Sequence, residues 1–99
     1  MMAFFKKVEN PQGPLTVDTL RTWLTNYVAE RVGVPAAEID TAKNFEDYGL
    51  DSRAGITLTG QLERLVEQRL SPALLFDYGS IDAVVEHLES QGMLAHAGS

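Results

Sequence analysis

The chain of 99 residues contains no cysteine, so it can form no disulfide and offers no thiolate to a metal. That absence fits a cytoplasmic setting without requiring one. No apolar run approaches the ~18 residues of a membrane-spanning helix. The opening MMAFFKK carries its charge after a short apolar piece and no cleavage-like segment follows, so it does not read as a secretory signal. Basic residues are few: eight Lys and Arg stand against fourteen Asp and Glu, a net charge of −6. That balance argues against nucleic acid as a ligand and suits a partner with a basic patch. The only histidines are His87 and His96, too few for a zinc site. Asp40, Asp47 and Asp51 lack the spacing and glycine of a calcium loop. There is no glycine-rich phosphate loop, internal repeat or low-complexity tract.

What is present describes one small helical domain. With 44% hydrophobic and 22% charged residues the composition is that of an ordinary globular chain. A chain this short buries about 60–70% of its unfolded surface, enough for one modest core. Asn10, Pro11, Gly13 and Pro14 mark residues 1–14 as a linker or disordered segment. Thr16 then caps a helix with Asp18 in its first turn, and Leu15 and Leu20 have hydrophobic-staple spacing. Leu20, Leu24, Tyr27, Val28 and Arg31–Val32 step at three and four as its buried stripe, while Trp23 joins the core or rests half-exposed. Gly33 and Pro35 stop it.

Val34 to Asp51 is a long connection, of a length that is uncommon unless it has a function. Ile39, Phe45, Tyr48 and Leu50 are expected to pin it to the core, and Gly49 to make a tight turn before Leu50-Asp51-Ser52. A second helix is expected from Ser52 to about Leu70, with Leu58, Leu62, Leu65 and Val66 on one face. Gly55 and Gly60 soften its first half. Ser71-Pro72 opens a short helical turn with Leu74, Leu75 and Phe76 expected in the core. Ser80 caps a last helix whose stripe is Ile81, Val84, Val85 and Leu88, and Gly92 ends it. Met93 to Ser99 reads as a flexible tail, which leaves 15–92 as the domain. The sum is an all-α, small four-helix bundle with a short third helix.

Ser52 is the one residue that invites chemistry. A nucleophilic serine needs a base, an orienting group and an oxyanion hole. Leu50-Asp51-Ser52-Arg53-Ala54 has no glycine two before or two after the serine, so it is not a nucleophile elbow. His87 reads as a solvated residue late in the last helix, and His96 lies in the tail. Two readings remain: a plain helix cap, or a serine placed to be modified at a helix N-terminus, where an attached phosphate meets free N–H groups. The charge around it is uneven. From Glu38 to Asp51 there are five acids against Lys43, whereas from Ser52 to Leu70 two acids face Arg53, Arg64 and Arg69.

The chain resembles an acyl carrier protein of the modular polyketide synthase kind. The matching residues are Phe45, the run Tyr48-Gly49-Leu50-Asp51-Ser52, then Leu58 and Leu62, Leu74-Leu75-Phe76-Asp77-Tyr78 and Ile81. The similarity runs from about Leu15 to Leu88. It implies a four-helix fold and 4′-phosphopantetheine on Ser52, taken from coenzyme A by a phosphopantetheinyl transferase that supplies magnesium and the base. It implies a monomeric carrier with no turnover of its own. An acyl-loading ligase or acyltransferase, and a ketosynthase or other synthase domain, are the further partners. Asp51 is the candidate contact to the transferase near its metal, and equally a helix-end acid. Arg53, Ile56, Gly60, Glu63 and Arg64 are candidates for the face that partners read; Ile56 has a core residue as its alternative. Gly79 and Ser80 stand where the family has proline and threonine, so a looser turn is expected there. Two alternatives stay open: a peptidyl carrier of a nonribosomal peptide synthetase, and a helical interaction module in which Ser52 is only a cap.

Overall fold

The computed structural model describes residues 15–95. Four α-helices lie among them: α1 (Val17–Val32), α2 (Ser52–Val66), α3 (Leu74–Asp77) and α4 (Ile81–Ser90). Two short 3-10 turns, Ala36–Glu38 and Phe45–Tyr48, interrupt the α1–α2 connection. The described residues hold no strand, only the isolated bridges Thr16–Ala95 and Asn44–Ser80.

Local chemistry sets each helix start. Thr16 and Thr19 form a reciprocal capping box, with the Thr16 hydroxyl accepting from the Thr19 N–H and the Thr19 hydroxyl from the Thr16 N–H. The Ser80 hydroxyl accepts from the Ala83 N–H at 3.1 Å and starts α4. Gly33, at φ 78°, closes α1 in the left-handed conformation that an L side chain resists. The apolar stripes then meet in one core. Leu20, Leu24 and Val28 of α1, Leu58 and Leu62 of α2, and Ile81, Val84, Val85 and Leu88 of α4 are fully or almost fully buried. Trp23 takes the core alternative at 4% exposure, its ring 5.4 Å from that of Tyr27. Arg21 ties α1 to α4 through the Asp82 carboxylate at 3.2 Å.

Four expectations need correction. First, α2 ends at Val66, short of Leu70, because Glu67 turns left-handed at φ 56°. The Glu63 carboxylate then reaches past the break to accept the Leu70 N–H at 2.8 Å. Second, α3 begins at Leu74, with Ser71 holding the preceding turn by accepting the Ala73 N–H at 3.1 Å. Leu74 and Leu75 are buried, but Phe76 is 63% exposed. Three consecutive residues on one helical turn sweep roughly 200° and cannot all face one core. Third, Met93 and Leu94 pack on the core and the Ala95 N–H donates to the Leu15 carbonyl at 2.8 Å, so the chain is docked through Ala95. Residues 96–99 and the linker reading of 1–14 lie outside the described residues. Fourth, His87 is half-buried and its ring stacks on Tyr78 at 4.0 Å, where the sequence suggested a solvated position.

The two glycines of α2 do not break it. A Cβ built on Gly55 would lie 3.8 Å from Leu75 Cδ1, so Gly55 sits where α3 crosses α2. Thr59, buried beside it, returns its hydroxyl to the Gly55 carbonyl at 2.9 Å.

Glu67 holds a backbone conformation that costs an L residue about 1 kcal/mol. Glu67→Gly is therefore expected to stabilise the domain by about 0.5–1 kcal/mol. A urea transition followed by the fluorescence of Trp23, the single tryptophan, measures it; an unchanged or lower midpoint contradicts the strain.

Candidate functional site

The long connection earlier flagged by its length delivers Ser52 to the surface. Its middle is stitched to the α3–α4 junction. The Phe45 N–H donates to the Gly79 carbonyl at 2.8 Å, and the Asp82 N–H donates to the Thr41 carbonyl at 3.0 Å. Phe45 is buried, and Ile39, Tyr48 and Leu50 pack against the same core, as the sequence suggested. The Tyr48 hydroxyl accepts from the Asp40 N–H at 2.6 Å and donates back to the Asp40 carbonyl at 3.2 Å, while Lys43 sits 4.6 Å over its ring. The Gly79-Ser80 turn, expected to be loose, is thus held from the loop side. Gly49 turns the chain at φ 80°, and Leu50 closes back on Phe45 through a 3.2 Å bond to its carbonyl.

This path places Asp51 in an extended conformation, and Asp51 rather than Ser52 becomes the cap of α2. Its Oδ1 accepts the Ala54 N–H at 2.9 Å, and its carbonyl accepts the Gly55 N–H at 3.0 Å. Ser52 is the first helical residue. It is exposed, and its hydroxyl makes no hydrogen bond within the described residues. The cap alternative for Ser52 is therefore corrected: the preceding carboxylate does that work. Among the described residues the one histidine, His87, is held against Tyr78 and makes no hydrogen bond to Ser52. Among the described residues no three His, Cys, Asp or Glu side chains gather where a metal could sit.

The surroundings change sign at the serine. Glu46, Asp47 and Asp51 are exposed before it; Arg53 and Arg64 are exposed after it. Ile56, one turn beyond Ser52, is 56% exposed, so its core alternative is excluded. Gly60 is exposed with no atom within 4 Å of a built Cβ, so nothing inside the domain requires a glycine there. It nonetheless costs about 1 kcal/mol of helix propensity relative to alanine. Glu63 is half-buried and committed to Leu70, which makes it partly a structural residue.

Sequence reasoning missed a hollow of about 350 Å³ beside Asp51, walled by Phe45, Leu50, Ala54, Leu58 and Leu75 with exposed Phe76 at its edge. Its signal was the short third helix: one turn buries two residues and leaves the third at a rim. An attached phosphopantetheine fits this site on structural grounds. The hydroxyl is free and exposed, and the N–H groups of Ser52 and Arg53 precede the first helical bond, where an anion is favoured.

Comparison with known proteins agrees with that fit. Residues 22–88 match the family described as phosphopantetheine attachment site. Polyketide synthase PksM of Bacillus subtilis (strain 168) is 36% identical over 72 residues, which is 69% of this chain and 2% of the synthase. The chain spans only 2–4% of the length of such synthase relatives. Among solved structures, Asl1650, an acyl carrier protein from Anabaena sp. PCC 7120, superposes with a TM-score of 0.73 at 27% identity, covering 90% of this chain and 98% of its own. A free-standing peptidyl carrier protein from Acinetobacter baumannii does so with 0.70 at 34% identity, covering 77% and 95%. The chain thus belongs to the phosphopantetheine-attachment family, as a carrier domain homologous to those of polyketide synthases.

Proposed function

We propose that Ser52 is the residue that carries 4′-phosphopantetheine and that the domain holds acyl or polyketide intermediates on it. The observation that carries this reading is the division of labour at the head of α2. Asp51 satisfies the helix, and the neighbouring hydroxyl is left exposed and unbonded. When bound, the group supplies a thiol on a long flexible arm, which a chain without cysteine cannot otherwise offer.

On this reading a visiting phosphopantetheinyl transferase supplies the base that activates Ser52. In that step Ser52 Oγ bonds to the phosphorus nearest the pantetheine, and the phosphoanhydride bond of coenzyme A breaks. Adenosine 3′,5′-bisphosphate leaves, and the serine proton passes to the transferase's base. The domain itself does no catalysis on this reading. It takes cargo from a loading ligase or acyltransferase and presents it to a ketosynthase or other synthase domain, as a monomer in the cytoplasm. The stitched loop and the docking of the chain through Ala95 support a unit that folds within 15–95. A peptidyl cargo is the second reading, supported by the 34% identity to the Acinetobacter baumannii peptidyl carrier protein.

Incubation with coenzyme A, magnesium and a broad-range transferase is expected to add one phosphopantetheine by intact mass, and Ser52→Ala to add none. No gain by folded wild-type protein, beside a carrier that is modified in the same mixture, overturns the reading. Substitutions at Asp51 separate its two roles. Asp51→Ala is expected to cost about 1 kcal/mol of stability as a lost cap, whereas Asp51→Asn keeps the cap. If the carboxylate also contacts the transferase, Asp51→Asn slows modification while its unfolding midpoint falls less than that of Asp51→Ala. Equal rates for Asp51→Asn and wild type assign the residue to capping alone.

A further inference from the structure

We infer that Tyr48 is a positioning residue for Ser52: its hydroxyl, closed on the backbone of Asp40, selects the chain path in which Asp51 and not Ser52 caps α2. The role in attachment rests on the Ser52 reading above; the choice of cap is measured without the arm.

Two caps compete at the head of α2. Aspartate and serine are equally good caps, and here they stand side by side. Side-chain preference does not choose between them, so the choice falls to the backbone arriving from residue 48. From there the path is short. Gly49 turns at φ 80°, the Leu50 N–H donates to the Phe45 carbonyl at 3.2 Å, and Asp51 follows in an extended conformation. The Phe45–Tyr48 turn has no side-chain cap of its own, and a single 3-10 turn is weak in isolation. Its end needs a tie from outside.

Tyr48 supplies that tie. Its hydroxyl accepts the Asp40 N–H at 2.6 Å and donates to the Asp40 carbonyl at 3.2 Å. Among the described residues these are the only hydrogen bonds between the two halves of the connection, residues 34–43 and 44–51. Otherwise each half is bonded separately to the α3–α4 junction, Thr41 to Asp82 and Phe45 to Gly79. The segment that Tyr48 grips is itself turned and bonded. The Lys43 N–H donates to the Asp40 carbonyl at 3.1 Å, the Ala42 N–H to the Asp40 carboxylate at 2.9 Å, and the Lys43 ammonium lies 4.6 Å over the Tyr48 ring. A phenol accepts one bond and donates another, and phenylalanine does neither. Both bonds are exposed, so water replaces them when the hydroxyl is removed and the fold survives, but water sets no direction for the chain. Ser52 then competes for the cap on equal terms, its hydroxyl accepting the N–H of Ala54 or Gly55 and turning back from solvent.

The test follows the Ala54 amide by NMR in the full-length chain before any attachment, from about pH 3 to pH 7, where carboxylates ionise. Asp51 accepts that N–H at 2.9 Å, so ionisation of its carboxylate moves the resonance. Asp51→Asn gives the share due to Glu46, Asp47 and the other acids, which is subtracted. Tyr48→Phe keeps the ring against the core and is expected to lower the remaining amplitude to about half, as two equal caps share the helix. Tyr48→Phe/Ser52→Ala removes the competitor and is expected to restore the full amplitude. Trp23 fluorescence checks that each variant is folded. A wild-type amplitude in Tyr48→Phe overturns the inference, and so does a loss that Ser52→Ala leaves unrestored. With coenzyme A and transferase, Tyr48→Phe is expected to raise KM about twofold at unchanged kcat, because half of the molecules withhold the hydroxyl. An unchanged KM overturns the inference too. No arm on any chain, beside the amplitude loss and its rescue, ends only the Ser52 reading.

Discussion

A single hydrogen bond from the Ala54 N–H to the Asp51 carboxylate organises the working end of this domain. A helix must satisfy its first N–H groups, and serine is among the residues best suited to do so. Had Ser52 taken the cap, its hydroxyl would be folded back onto the helix. With Asp51 in that place, Ser52 moves one position inward and its oxygen faces solvent. The same carboxylate puts negative charge at the positive end of α2. A phosphodiester attached to Ser52 would share that end with it and draw on the N–H groups the cap leaves free.

That bond holds only because the loop before it is fixed. Bonds from Phe45 to Gly79 and from Asp82 to Thr41 fasten the middle of the connection to the α3–α4 junction. Tyr48 clasps Asp40, and Gly49 reverses the chain just before the serine. Positioning therefore comes from the whole bundle: α1 and α4 form the body, the loop is laced across one end, and α2 leaves from the lacing. The short α3 crosses α2 where Gly55 has no side chain, which keeps Leu75 close and leaves Phe76 at the rim of the hollow beside Asp51. A partner approaching Ser52 meets three surfaces at once, an acidic loop, a basic helix face and an apolar edge.

Much of this was legible in the residues. The stripes of α1 and α4 and the caps Thr16 and Ser80 are written in local spacing, which fixes a helix wherever an apolar face and a cap coincide. Phe45 and Leu50 as loop pins were legible because isolated large apolar residues in a polar stretch must go somewhere dry. The cap of α2 was not, since aspartate and serine are equally good caps and adjacent here; only the backbone path selects between them. The end of α2 was missed because Gln68, Arg69 and Leu70 are good helix formers, and the break depends on Glu67 adopting a conformation that sequence rarely announces. The exposure of Phe76 was not legible, because apolar character alone does not say how many residues one helical turn can bury. The docking of Met93 to Ala95 depends on a bond to Leu15 that joins the two ends of the described chain, and no local pattern reports such a contact.

The most direct test of the central claim locates the arm on the chain. Trypsin cutting after Lys43 and Arg53 releases Asn44–Arg53, whose only aliphatic hydroxyl is that of Ser52. After treatment with coenzyme A and transferase, fragmentation of that peptide must show phosphopantetheine on Ser52, with the peptides that hold Ser71, Ser80 and Ser90 unchanged. Modification at one of those serines, or an unmodified Asn44–Arg53 peptide from protein that has gained the mass, would contradict it.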